Sequence, residues 1–161
     1  MLFNLSLMAL ILPLIAGILA GFFGKKIGKL FTNFVTIFGV LVSLVISTYL
    51  LIIILETPSL IFNQNVYTWL EIGAYNFSIG LLVDNLTVSM MVIVNFISLM
   101  VHIYSIGYMH NDPGYYRFFC YISLFTFVML SLIMANNFLQ LFFGWEAVGV
   151  MSYLLIGFWY T

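Results

Sequence analysis

Between Phe31 and Leu55 the chain runs through FTNFVTIFGVLVSLVISTYLLIIIL without one charged residue, then halts at Glu56-Thr57-Pro58. Roughly 20 predominantly apolar residues are what an α-helix needs to cross a hydrocarbon core of about 30 Å. Four more apolar runs follow the same pattern: Leu5 to Phe23, Asn85 to Tyr108, Phe118 to Met134, and Phe138 onward. Composition agrees, because 65% of the 161 residues are hydrophobic and 6% charged, with a mean hydropathy of +1.21. A soluble domain carries about a quarter charged residues. The expected fold is all-α: a polytopic transmembrane helical protein with spans near 4–24, 31–55, 85–109, 116–135 and 137–159.

The segment 56–84 between the second and third spans differs in kind. Asn63, Gln64, Asn65, Glu71 and Asn76 break up the β-prone pieces VYTWLEI and YNFSIGLLV. These are expected to pair as a short hairpin about Gly73-Ala74, lying at the membrane surface. Trp69 and the tyrosines suit that interface. Sidedness follows from Lys25, Lys26, Lys29 and Arg117, which are all the positive residues present. Five spans put their two turns, GKKIGK and HNDPGYYR, on one side, and the positive-inside rule makes that side cytoplasmic. The N-terminus and the 56–84 loop are then external, and the end of the fifth span is internal.

The opening MLFNLSLM carries no lysine or arginine ahead of its apolar run, which argues for a retained span rather than a cleaved signal peptide. No hydrated tail follows GFWYT, an arrangement expected of a truncated protein, a split gene product or an excerpt. A net charge of -1 provides no basic field for nucleic acid. The two histidines stand in no zinc-ligand pattern, phosphate-binding glycine loop or Ser/His/Asp grouping. No metal or cofactor is therefore expected on this chain. Cys120 sits in an apolar run, as a small core or lipid-facing residue.

Functional candidates are the polar groups placed in lipid. Glu146 lies about nine residues, or roughly 14 Å, into its span, near the midplane. An acid there costs about 2.5 to 3.5 kcal/mol on translocon scales, so Glu146 is expected to face a protein interior or a wet cavity. It serves either as a proton carrier or as a neutral group bonded to a neighbouring helix. Gly149, Val150, Tyr153 and Gly157 share its face, as proton-path or packing residues. His102 stacks with Ser98 and Asn95 on the third span, where imidazole, hydroxyl and amide either hold a water chain or satisfy one another. Asp84 is either a helix N-cap or a group at the external proton exit. Arg117 snorkels or anchors a loop, and Asp112-Pro113-Gly114 reads as turn chemistry. His110, Glu56 and Glu71 read as solvated surface groups.

The wording VHIYSIGYM, GYYRFF, NNFLQLFFGWE and GVMSYLLIGFWY closely resembles the N-terminal part of the subunit L family of proton-pumping NADH-quinone oxidoreductases, the homologues of mitochondrial NADH dehydrogenase subunit 5. The resemblance implies an antiporter-like, proton-translocating subunit of the bacterial inner membrane. NADH, FMN, iron-sulfur clusters and quinone belong to other parts of the parent complex, and an adjacent antiporter-like subunit, other membrane-arm subunits and lipids are the implied partners. Glu146 in GWE matches the family's fifth-helix glutamate, which works with a lysine two helices later. Asp84, His102 and Arg117 match recurring family residues. Every lysine here lies between Lys25 and Lys29, so these residues alone are expected not to pump. Two alternatives are the large subunit of a multisubunit cation/proton antiporter and a structural fragment that braces a membrane assembly.

Overall fold

The computed structural model describes residues 2–57, 61–72 and 75–160. Five long helices carry most of the chain: α1 (Leu2–Ile27), α2 (Lys29–Glu56), α3 (Asn85–Tyr108), α4 (Tyr115–Ile133) and α5 (Phe138–Ile156), the last tightening into a 3-10 turn at Gly157–Trp159. All five are long and apolar enough to span a membrane. Strands β1 (Phe62–Ile72) and β2 (Tyr75–Val83) pair antiparallel between α2 and α3, as expected, with register shifts between Asn65 and Tyr67 and between Thr68 and Leu70. The expected turn residues Gly73 and Ala74, and the stop at Pro58, lie outside the described residues.

The expected lysine turn is shorter than GKKIGK. Lys25 and Lys26 finish α1 and Lys29 begins α2, leaving Gly28 as the sole break, at φ 109°. A side chain at that φ meets its own backbone, so only glycine reverses the chain there without strain. The helices α1, α2, α3 and α4 pack in a closed ring, each on the next and α4 back on α1, while α5 leans on α4 and touches β2. Close approach of α1 to α4 depends on small residues: a Cβ at Gly21 would sit 2.9 Å from Cys120 Sγ, and one at Gly17 3.2 Å from Leu124 Cγ. Without water between helices, van der Waals contact of this kind is a main attraction holding spans together.

Three zones follow along the bundle axis. At the hairpin end β2 points Leu81 and Val83, each 2% exposed, into a cluster with Leu50, Ile54, Met91 and Met134. Their alternation is the period-2 rule of a strand with one buried face. The edge of β2 is sealed as well. Leu82 N donates to Met134 O (2.9 Å), and the Gln140 amide pairs with Gly80 N and Gly80 O at 3.0 and 2.9 Å. Asn136 and Asn137 tie the same α4–α5 connection to Asn63, Asn65 and Ser78, covering an edge that would otherwise template pairing. The opposite end is largely aromatic, built on Tyr115, Phe119 and Phe158 with Met109. Between the two ends the interior is polar.

Candidate functional site

The polar zone begins with a defect in α1. Pro13 has no N–H, so the Ala9 carbonyl four residues earlier loses its intrahelical partner. Ser43 of α2 fills the gap, its hydroxyl donating to Ala9 O at 2.7 Å. In lipid such a freed carbonyl must find a donor from a neighbouring helix. Ser47 then donates to Ser43 O (2.8 Å), and the Asn95 amide of α3 donates to Ser47 Oγ (3.0 Å). All these side chains are buried, and the other end of the Asn95 amide, Oδ1, has no protein donor.

Farther along α3, at Ser98 and His102, a separate group of contacts crosses to α4. His102 is fully buried, with Nδ1 2.8 Å from Ser98 O and Nε2 3.0 Å from Ser123 Oγ. A carbonyl only accepts, so Nδ1 carries the proton; Nε2 of the neutral ring then accepts from the Ser123 hydroxyl. Thr126 gives its hydroxyl proton to Ile122 O (2.8 Å), which makes Ser98 the donor in the 2.5 Å contact between Ser98 Oγ and Thr126 Oγ1. Both branches therefore end on backbone carbonyls, which cannot pass a proton on. As arranged, the group is a satisfied lock between α3 and α4. A second proton on His102 would require Ser123 to rotate from donor to acceptor.

The expected stack of Asn95, Ser98 and His102 is present, and its partners Ser47, Ser123 and Thr126 were not singled out from sequence. A signal existed: Thr32, Thr36, Ser43 and Ser47 recur on one buried stripe of α2, and Ser123 and Thr126 share a face of α4. Such small polar residues at helical spacing mark interhelical contact faces.

Glu146 is not drawn into the polar interior formed by the described helices. It lies on the exposed face of α5 with Trp145, Gly149, Val150 and Tyr153, rather than enclosed by the other described helices. The cause is packing: Gly144 is the buried residue of α5, seated on Leu132 of α4, which turns Glu146 outward. Tyr153, 75% exposed, lies two turns along and borders a small cavity with Arg117 and Phe158. His102 faces the α3–α4 contact, so the structure does not bring it together with Glu146. Asp84 is a helix cap, its Oδ1 accepting from Thr87 N at 2.7 Å. Arg117 stacks on the Phe158 ring (4.7 Å) and donates to Phe158 O (3.2 Å). Asp112 does more than shape a turn, since its second oxygen accepts from Trp159 Nε1 at 2.9 Å. Among the described residues no three His, Cys, Asp or Glu side chains gather as a metal would require.

Five membrane-length helices, four of them ringed about a hydrogen-bonded polar interior, define a polytopic helical membrane protein. Its family is specific. The family described as NADH-ubiquinone oxidoreductase (complex I), chain 5 N-terminus, matches residues 69–119. NADH-quinone oxidoreductase subunit L of Neisseria meningitidis is 62% identical over 125 residues, 77% of this chain and 18% of that protein. The subunit L of Rickettsia typhi is 44% identical over 160 residues, 98% of this chain and 24% of that protein. NADH-ubiquinone oxidoreductase chain 5 of Dictyostelium discoideum is 58% identical over 94 residues, 58% of this chain and 14% of that protein. The chain belongs to this subunit L and chain 5 family, and spans at most 24% of the length of these relatives.

Proposed function

We propose that the chain supplies five spans from the N-terminal region of a proton-translocating membrane subunit, working in an assembly that passes electrons from NADH to quinone. The redox chemistry, with its NADH, FMN, iron-sulfur clusters and quinone, lies in other subunits. The assembly sits in the bacterial inner membrane, with the Lys25 to Lys29 and Arg117 end inside and the hairpin outside. Its neighbours are further membrane-arm subunits, an adjacent antiporter-like one among them, and lipid.

The observation that carries this reading is Glu146. It stands at mid-depth of α5 on a face open within the described residues and shared with Gly149, Val150 and Tyr153. A carboxylate at that depth is too costly to leave against lipid, so the open face fits a further protein surface that brings a cation. Approach and withdrawal of that cation would favour the charged and the protonated carboxyl in turn. Asp84 and Tyr153 are assigned supporting places on the path, and His102 one that it takes up only when Ser123 rotates from donor to acceptor; as arranged, His102 and Asp84 hold their helices.

The test is Glu146→Gln in the intact assembly of a close relative. Loss of proton pumping is expected, and unchanged pumping together with unchanged NADH oxidation would sink the proposal. Partner chains separate this reading from a cation/proton antiporter: iron-sulfur subunits that oxidise NADH are expected to co-purify, rather than small antiporter subunits. A proton-dependent infrared signal from the Glu146 carboxyl during turnover would count against a purely bracing role.

A further inference from the structure

The four cations of the chain gather at one end of the bundle, and they are not equivalent. Lys29 donates to the His110 carbonyl and covers the Tyr115 ring at 5.2 Å, which fixes it between the two inner turns. Lys25 and Arg117 instead flank a groove of about 580 Å³ between the end of α1 and the start of α4. Arg117 is held in place by Phe158 through one nitrogen and one ring face. Its guanidinium has five N–H donors, so most remain free to bind another group. Asp112, the acid closest in sequence to this groove, has Oδ1 engaged by Gly114 N (2.6 Å) and Oδ2 by Trp159 Nε1 (2.9 Å).

We propose that this groove binds the phosphate of an anionic membrane phospholipid, with Lys25 and Arg117 clamping the headgroup and one acyl chain following the wall formed by Gly21 and Cys120. Charge complementarity selects the headgroup. The groove also opens beside the first turn of the 19-residue α4, where Gly114, Tyr116 and Arg117 line it and the positive end of the helix dipole adds to both cations. Position selects a lipid over a free phosphate. Lys25 sits in the last turn of α1 and Arg117 in the first turn of α4, at the depth where spanning helices leave the hydrocarbon. Below them Gly21 brings α1 against Cys120, leaving an apolar floor that a soluble anion has no use for. Basic clefts between spans on the positive side of a membrane are the physical setting in which phosphate headgroups are held. This inference does not depend on the proton reading.

The experiment uses the native assembly containing the full chain, reconstituted in nanodiscs of phosphatidylcholine with increasing phosphatidylglycerol of matched acyl chains. Lipid retained by the assembly is read by native mass spectrometry. Phosphatidylglycerol is expected to be retained in preference to phosphatidylcholine, and Lys25→Gln to weaken that retention about fivefold, the effect of one cation near a membrane surface. Arg117→Gln should act alike, while Arg117→Lys, which keeps the charge if the stacking on Phe158 is perturbed, should retain most of it. Lys26→Gln, one residue outside the groove, should change retention less than twofold. Equal retention of the two lipids, an equal loss in Lys26→Gln, or displacement of the lipid by millimolar inorganic phosphate would overturn the proposal.

Discussion

Ser43 is the residue whose removal should reveal most about how the bundle holds together. Its hydroxyl donates to Ala9 O at 2.7 Å, both residues are fully buried, and Ala9 O needs this donor because Pro13 has none to offer. Ser43→Ala therefore loses a hydrogen bond and strands a buried acceptor. Stranding such a group costs about 1–3 kcal/mol, whereas interhelical hydrogen bonds in membranes average about 0.6 and reach about 1.7 kcal/mol. A loss of about 1–2 kcal/mol is expected. In a Pro13→Ala background the new N–H of residue 13 restores the i to i−4 bond to Ala9 O, and Ser43→Ala should then cost less than about 0.5 kcal/mol. The assay is a double-mutant cycle on detergent-solubilised protein, with helicity followed through a denaturant titration. A cycle that closes additively, with Ser43→Ala costing the same in both backgrounds, would refute the argument that the serine answers the proline.

His102 should be neutral and protonated on Nδ1, which nitrogen-15 NMR of labelled imidazole reads directly; a ring protonated on Nε2 alone would contradict the contacts to Ser98 O and Ser123 Oγ. Ser123→Ala leaves Nε2 without its donor and should lower stability by about 1–2 kcal/mol, much of it lost again when paired with His102→Ala. Asp84→Ala should cost about 1 kcal/mol through the lost cap on Thr87 N, with Asp84→Asn close to wild type in stability. If Asp84→Asn also leaves proton transport in a relative's assembly unchanged, the residue is a cap and not an exit group.

Much of the fold was legible because lipid simplifies the reading. Each apolar run of span length became one helix, and the alternation in YNFSIGLLV became β2 with Leu81 and Val83 turned inward. Asn95, Ser98 and His102 could be placed on one face from spacing alone, since helical geometry is local. What they face could not. Ser47, Ser123 and Thr126 reach them across 48, 21 and 28 residues of sequence, and no periodicity within one helix states which neighbour it meets. The cap that Asp84 makes on Thr87 N is, by contrast, a local contact, legible from its place just ahead of the third apolar run.

By itself the sequence determined five apolar helices of span length, a hairpin between the second and third of them, two turns that hold all the cations and a carboxyl midway along the fifth helix, because each of these follows from local composition and length against a fixed bilayer thickness. Only the tertiary structure decided that α1 to α4 close a ring with a polar centre, that Ser43 repairs the gap left by Pro13, and that Glu146 looks out from α5 rather than into that ring. These depend on which face each helix turns to its neighbour. That choice is set by where glycines and small polar residues of distant segments fit one another, and for Glu146 it is set by Gly144 seating on Leu132.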